Sequence, residues 1–249
     1  VEAEDKEDSD FYFSGFAKAV KGGKPVYALE TKFNYLHDLG KYGAIGFKAT
    51  ADIAEERDID FDSVQLTGSY QKVFVFKPAT GVILKSDFVG FEFDREGETK
   101  NIASGADFVW VFPSKSWKDR YATIDFTTGV EGGHNLKSKL SPDGFGSYGR
   151  VKFGTSFYFT DLSPVLFQRI DFTATYTTRL LNKAEPFTKD EVDVLTRKTR
   201  HYVSSDLDFM FSKYIGLSIK YRYGSLPPAF KFVDHNVSFG LTFKAKRAR

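Results

Sequence analysis

The stretch GRVKFGTSFYFT, residues 149 to 160, alternates apolar and polar side chains along its length. Val151, Phe153 and Phe157 occupy one set of positions, and Arg150 and Lys152 occupy the other. Because successive side chains of a β-strand point to opposite faces, this period of two predicts a strand with one apolar and one charged face. Which face meets water depends on how many such strands there are and on what covers their apolar sides.

The same alternation recurs along the chain and predicts twelve strands in all. One of them, residues 82 to 93, changes phase part of the way along, and one extra residue near Val89 and Gly90, a β-bulge, would restore the pattern. Lys72 interrupts an apolar face in the preceding strand. It indicates either a similar slip or a lysine that snorkels to an interface.

Composition excludes several classes of protein. The 249 residues contain 27 Phe and 13 Tyr but no Cys, which favours strands and excludes disulfide scaffolds, thiol catalysis and cysteine-ligated zinc. A formal charge of +2 gives no strong attraction to nucleic acid, which we do not expect as a partner. The longest apolar runs, such as residues 108 to 112, are far too short for a membrane-spanning helix.

The connections between the predicted strands alternate in length. Long ones, such as residues 132 to 147 and 182 to 200, follow odd-numbered strands, and shorter ones follow even-numbered strands. With an even strand number, this pattern resembles Gram-negative outer-membrane β-barrels over residues 10 to 244. The segment from Val237 to Phe243 is similar to the C-terminal signature strand of that class, although KAKRAR follows it.

The resemblance implies a closed antiparallel up-and-down transmembrane barrel of about twelve strands with both termini in the periplasm. Residues 1 to 9 are then a flexible acidic tail, residues 10 to 244 the barrel, and residues 245 to 249 a basic tail. The chain begins without a hydrophobic signal segment, so an exported protein would carry this numbering in its processed form.

Two physical arguments favour a membrane barrel over the alternative, a soluble double-sheet or lipocalin-like protein. Twelve strands enclose a bore too wide for apolar side chains to fill, so a soluble barrel would need a large apolar ligand. No amphipathic helix covers an apolar face either, since the only candidate, residues 187 to 198, is short and mainly charged. Lipid is then the simplest partner for the apolar faces.

In this orientation the charged faces point into the lumen and the apolar faces point to lipid. The predicted lumen-facing charged residues, which could set selectivity, are Lys32, Lys48, Arg150, Lys152, Arg169, Arg179, Lys220, Arg222, Asp107, Asp125, Glu131, Asp171, Asp206 and Asp208. The predicted lipid-facing residues are Val151, Phe153, Phe157, Phe159, Ile170, Phe172, Phe239, Leu241 and Phe243.

Two interpretations of the charged lumen remain open. The charges could line a water-filled pore that selects polar or charged small solutes, or they could pair across the lumen and plug it. We therefore predict a porin-like channel in the bacterial outer membrane. The alternatives are a non-conducting structural or adhesive barrel, or a subunit of a larger envelope complex. Expected partners are membrane lipid or lipopolysaccharide, small polar solutes and other envelope proteins.

A lipid-modifying hydrolase is a second alternative. His201, with Ser204, Ser205 and Asp206, contains the residue types of a nucleophile and its base, but the spacing matches no catalytic signature. A metal site built from His134, His201 and His235 would need three loops to converge. We predict no catalytic residue, metal or cofactor, and the acidic run at residues 55 to 62 leaves calcium binding open.

Overall fold

A computed structural model describes residues 7–19, 26–54, 63–77, 80–93, 100–112, 115–117, 120–137, 146–162, 165–189, 193–226 and 231–247 of the chain. These residues form thirteen β-strands. The strands are β1 (Glu7–Ala19), β2 (Val26–Gly40), β3 (Gly43–Ala54), β4 (Ser63–Lys77), β5 (Thr80–Phe93), β6 (Lys100–Val111), β7 (Lys115–Trp117), β8 (Arg120–Lys137), β9 (Gly146–Asp161), β10 (Arg169–Lys189), β11 (Asp193–Met210), β12 (Ile215–Leu226) and β13 (Lys231–Arg247). None of the described residues forms a helix long and apolar enough to cross a membrane.

The strands form one closed antiparallel barrel, as the alternation predicted. Each long strand pairs with its neighbours in the chain, and β1 pairs with β13 to close the sheet, with Phe13 opposite Phe243. Closure leaves no unpaired edge among the long strands, which is the condition for placing a sheet in lipid. The predicted all-β, twelve-stranded up-and-down barrel is therefore confirmed.

The strand beyond the predicted twelve is β7, which continues β6. β6 and the three-residue β7 both pair with β8, and the backbone N–H of Phe112 donates to the carbonyl oxygen of Ile124 between them at 3.1 Å. From Phe112 to Lys115 the chain advances three residues, while β8 advances only two, from Ile124 to Ala122. One strand position of the barrel is thus an interrupted strand, and the barrel has twelve positions.

The end of the barrel at which β1 begins and β13 ends is here called the terminal end, and the other is called the loop end. At the loop end, several strands run further than predicted. β10 continues to Lys189 and β11 begins at Asp193, so the long connection predicted for residues 182 to 200 is wrong. β8 likewise extends to Lys137. The difference in connection length between the two ends is consequently smaller than predicted.

The phase change in β5 has the predicted cause. Between Asp87 and Gly90 the strand advances three residues while β6 advances two, from Gly105 to Ala103, so β5 contains one extra residue. No slip occurs at Lys72, which keeps the register of Phe74 and lies opposite Leu84 on the outer face. Lys72 is also opposite Gly43, beside the turn at the terminal end, where a snorkelling lysine reaches the interface.

The outer surface of the barrel is apolar and aromatic. Phe153, Phe239 and Trp110 each keep more than two-fifths of their surface exposed, and Phe157 packs against Phe172 with ring centroids 6.1 Å apart. The side chains predicted to meet lipid lie on this face, namely Val151, Phe153, Phe157, Phe159, Ile170, Phe172, Phe239, Leu241 and Phe243. An exposed apolar belt of this kind marks a surface that contacts lipid or another apolar partner.

Candidate functional site: the barrel lumen

The inner face of the barrel carries the charged side chains. Cross-strand partners share a face, so rows such as Arg179 beside Lys152 and Asp171 beside Asp208 follow the register directly. The structure directs inward the side chains of Lys32, Lys48, Arg150, Lys152, Arg169, Arg179, Lys220, Arg222, Asp107, Asp125, Glu131, Asp171, Asp206 and Asp208. It brings most of them together as ion pairs.

Glu131 on β8 joins two arginines from the next two strands. Its Oε1 atom lies 3.3 Å from Nη1 of Arg150 and 2.9 Å from Nε of Arg179. The Arg150 guanidinium also stacks on the ring of Tyr148, 3.8 Å from its centroid, and the Tyr148 hydroxyl donates to Asn101 at 3.1 Å. Arg150 keeps 1% of its side-chain surface exposed, so this arginine is packed into the barrel wall and is inaccessible to a solute.

Lys152 and Asp107 form a second pair that crosses an intervening strand. Their Nζ and Oδ2 atoms lie 2.6 Å apart, although β8 separates β9 from β6. Gly129 lies between them in the same row of the ladder, opposite both residues. A Cβ at Gly129 would overlap Oδ1 of Asp107 and lie 2.8 Å from the Ala106 carbonyl oxygen, so this pair requires glycine at position 129.

Glycine opposite a long side chain is a recurring arrangement of this wall. Tyr148 lies across its partner Gly133, and Met210 lies across its partner Gly216. At the β1–β13 seam, Phe16 lies opposite Gly240, where a Cβ would be 2.8 Å from Cδ1 of the ring. Each glycine lets a long side chain from the neighbouring strand lie flat against the sheet.

Lys220 occupies a cation site on the wall near the seam. It forms an ion pair with Glu30, whose other carboxylate oxygen lies 2.6 Å from Nζ of Lys32. The Lys220 ammonium also lies 4.2 Å from the centroid of the Phe16 ring and 4.8 Å from that of Tyr12. Two aromatic faces and a carboxylate thus compensate a lysine of which 5% of the side chain is exposed.

One sector of the lumen is filled by side chains, and we call it the packed sector. It comprises the inward side chains of Ser14, Asp208, Met210, Ser218 and Thr242, on β1 and β11 to β13. Met210, Ser14, Ser218 and Thr242 are fully buried, at 0% exposure. The Thr242 hydroxyl bonds to those of Ser14 and Ser218, and the Ser218 hydroxyl donates to Asp208.

Lys244 completes the packed sector from β13. Its Nζ atom lies 2.6 Å from Oδ2 of Asp208 and 3.5 Å from Oδ2 of Asp171, and Nε of Arg169 lies 2.8 Å from the same Asp171 oxygen. Two cations and two carboxylates from β10, β11 and β13 thereby meet beside the hydroxyl cluster. Ion pairs and hydrogen bonds both fill this side of the bore.

The opposite sector is different, and we call it the open sector. It comprises the inward side chains of Lys48, Gln65, Thr67, Gln71 and Lys85, on β3 to β5. Lys48 and Lys85 point inward from within their strands and are nevertheless exposed, and the other three are half-buried. Water-accessible space therefore lies beside this wall.

The named ion pairs run along the wall rather than across the bore. Arg222 pairs with Asp206 on the adjacent strand at 2.6 Å, and the widest spans, Lys220 with Glu30 and Lys244 with Asp171, join strands three positions apart. A pair that spanned the barrel would join strands about six positions apart in a ring of this size. These pairs thus brace the wall without bridging its centre.

Several inward residues were absent from the predicted set. Arg200, Asn135 and Tyr148 belong to the parts of β11, β8 and β9 that were assigned to loops or strand ends, and all three are buried. Lys85 alternates with Leu84 and Ser86, so the period of two in β5 already marked it as inward. Tyr12 and Ser14 on β1 could have been assigned in the same way.

The candidate catalytic residues are not brought together. His201 points outward, and its Nδ1 atom lies 2.8 Å from the Tyr176 hydroxyl, whereas Ser204 and Asp206 point inward. Ser205 shares the outer face with His201, but four residues along a strand separate their Cα atoms by about 13 Å. His201 is therefore not placed to act as the base for a serine nucleophile among residues 201 to 206.

The three histidines proposed for a metal site have different partners. His134 bonds to Ser147 at 3.0 Å, and His235 bonds to Tyr221 at 2.8 Å and stacks on Tyr223. Within the described ranges, no three His, Asp or Glu residues are grouped so that they could hold a metal ion. The acidic run at 55 to 62, for which the sequence leaves calcium binding open, lies outside the described residues.

No protein-family model matches the chain, and no curated protein matches it in sequence. Solved structures do match it. The NanC porin aligns with 94% of this chain and 98% of its own at a TM-score of 0.55 and 10% identity. LpxR from Salmonella typhimurium aligns over 95% and 99% at 0.48 and 11%, and an outer membrane channel from Pseudomonas putida F1 over 99% and 97% at 0.47 and 8%. At these identities the likeness concerns the fold, which is that of outer-membrane β-barrels.

Proposed function

We propose that this chain forms a small porin-like channel in the bacterial outer membrane through which polar or charged small solutes pass. The observation that carries the proposal is the exposure of Lys48 and Lys85, which point into the bore from within their strands. Side chains in a plugged lumen would be buried there, as Ser218 and Thr242 are on the opposite side. A hydrated, charged wall is what a polar solute requires.

The arrangement of the ion pairs supports the same proposal. Glu131 with Arg150 and Arg179, and Lys152 with Asp107, lie along the wall across glycine gaps and do not obstruct the centre. Such pairs also hold long side chains in fixed positions, so that the fields they produce are fixed. Fixed, partly neutralised charges suit a pore that discriminates by charge.

Placement in an outer membrane rests on the outer surface. Its exposed rings, such as Phe108 and Phe126, form a continuous apolar face that lipid would cover, and the fold is that of outer-membrane barrels. The same face would meet membrane lipid or lipopolysaccharide. Further envelope proteins are partners that we propose from the resemblance in class alone.

Planar-bilayer recording tests the channel directly. The protein, refolded in detergent, should migrate faster unheated than boiled on a denaturing gel, as closed barrels do, and should then give steady steps of conductance in potassium chloride. Folded protein that gives no conductance would contradict the proposal and favour the non-conducting structural barrel. Turnover of lipid by the same preparation would favour the hydrolase instead.

A further inference from the structure

From the unequal exposure of the lumen charges, and resting on the proposed channel, we infer that Lys48 and Lys85 form an anion-contacting site in the open sector. Its ligands would be small solutes that carry carboxylate or phosphate groups. The site is distinct from the arginine-rich wall, where Arg150 and Arg179 are largely buried.

The two lysines are more accessible than most of the other lumen cations; Lys32 also keeps 42% of its side-chain surface exposed, but its ammonium lies 2.6 Å from Glu30. The two lysines themselves are exposed to the bore, whereas Lys152 keeps 18% of its side-chain surface, Arg179 keeps 12% and Arg150 keeps 1%. A permeating ion interacts most strongly with charges that it can approach without an intervening protein layer. The buried arginines therefore contribute less to solute contact than their number suggests.

The lumen carboxylates are less exposed than these two lysines. Asp107 and Glu131 keep 19% and 18% of their side-chain surface, and Asp208 keeps 12%, because each one carries a lysine or arginine partner. Asp206 is more exposed, at 30%, but its carboxylate bonds to Arg222 at 2.6 Å. The most accessible charges on the wall of the bore are thus positive.

The neighbours of the two lysines are chemically suited to an anion. In the ladder, Lys48 lies between Asn34 and Thr67, and Lys85 has Gln71 on one side. Amide and hydroxyl groups can donate hydrogen bonds to carboxylate or phosphate oxygens, and they add no competing negative charge. Asp107, on the other side of Lys85, is held by Lys152.

The flexible ammonium groups suit transport better than a rigid receptor would. A lysine presents a mobile point charge, whereas an arginine presents a fixed fork that holds a carboxylate in two places. Conduction requires binding that is favourable enough for entry and weak enough for release. Two separate lysines on one wall meet that requirement for a small anion.

The test is the reversal potential in a potassium chloride gradient, with citrate added as a multivalent probe. Wild-type protein should prefer chloride, and citrate should reduce its potassium chloride current. The double variant Lys48→Gln/Lys85→Gln should lose about threefold of the chloride preference and most of the citrate effect. Lys48→Arg/Lys85→Arg should retain both.

Lys213→Gln is the matched control, since it removes one positive charge from the turn between β11 and β12, outside the bore. Its selectivity should equal that of wild type. A conducting wild-type channel that prefers cations, or a double variant with unchanged chloride preference, would overturn the anion site and leave the channel intact. Absence of conductance in folded wild-type protein would overturn the channel itself.

Discussion

The packed and open sectors of the lumen are built from the same kind of strand but have different interiors. In the packed sector, Ser218 and Thr242 are fully buried, and Asp208 lies among hydroxyl groups and Lys244. In the open sector, Lys48 and Lys85 extend into accessible space. One side of the inner face thus acts as a polar core, and the other acts as the wall of a bore.

Polar side chains that point inward are therefore not sufficient to form a pore. Short hydroxyl side chains and the glycines at 216 and 240 let strands and side chains approach closely, and the resulting hydrogen bonds close the space. In the open sector, by contrast, Lys48 and Lys85 remain exposed. The strand closure between β1 and β13 lies within the packed sector, where the hydroxyl groups of Ser14 and Thr242 bond across it.

The largest expected effect is on the packed sector. Asp208→Ala removes the carboxylate that bonds Ser218 and Lys244, leaving a cation without its nearest partner, and should lower the free energy of unfolding by about 3 to 5 kcal/mol. Urea unfolding of the refolded barrel measures it. Asp206→Ala, on the same strand but 30% exposed, is the matched control and should cost clearly less. Equal losses would show that the deeper burial of Asp208 does not set the size of the effect.

A smaller effect is expected from filling a glycine gap. Gly216→Ala places a Cβ 2.7 Å from Sδ of Met210 and 2.7 Å from the Phe209 carbonyl oxygen, so it should destabilise the barrel by about 1 to 3 kcal/mol. Gly15→Ala is the control, because a Cβ there meets nothing within 4 Å. The two variants should differ in urea midpoint, and identical midpoints would contradict the close packing.

The ion pair across Gly129 should show a measurable coupling. In a double-mutant cycle, Lys152→Met and Asp107→Asn should couple by about 1 kcal/mol, since the pair is largely screened from water. Arg120 and Asp161 lie at the terminal end, where 57% of the arginine side chain is exposed, and they should couple less. A coupling near zero for the first pair would mean that water separates its charges.

The smallest effect is expected in the open sector. Lys48→Gln and Lys85→Gln should each change the free energy of unfolding by no more than about 0.5 kcal/mol, because both side chains are exposed. The same urea titration checks this. A loss similar to that of Asp208→Ala would show that these lysines hold the wall together, and the open sector would lose its distinction from the packed one.

The fold was predictable because lipid imposes a strict pattern. In the outer-membrane barrel fold the outward positions are mostly apolar, so strands such as 149 to 160 and 236 to 244 show the period of two. The extra residue in β5 was predictable for the same reason, since the apolar residues change phase there.

The alternation of apolar and polar residues fades toward the loop end, although the strand pairing continues. Residues 185 to 189 still pair with 193 to 197, but outward positions that no longer meet lipid need not be apolar, so the segment looks like a loop in sequence. Tyr148 and Arg200 were missed because they lie outside the strand bounds that the alternation predicted. Side-chain pattern reports the surroundings of a strand and only indirectly its length.

Which side chains point inward follows from the sequence, because alternation and an apolar outer face leave a single orientation for each strand. Which of the inward charges are paired at close range and which are exposed depends on the folded barrel. Lys152 reaches Asp107 across a whole strand through the gap at Gly129, whereas Lys85, opposite the same Asp107, stays exposed. Contacts between strands two or three positions apart depend on the register and curvature of the sheet. The sequence pattern of a single strand predicts neither.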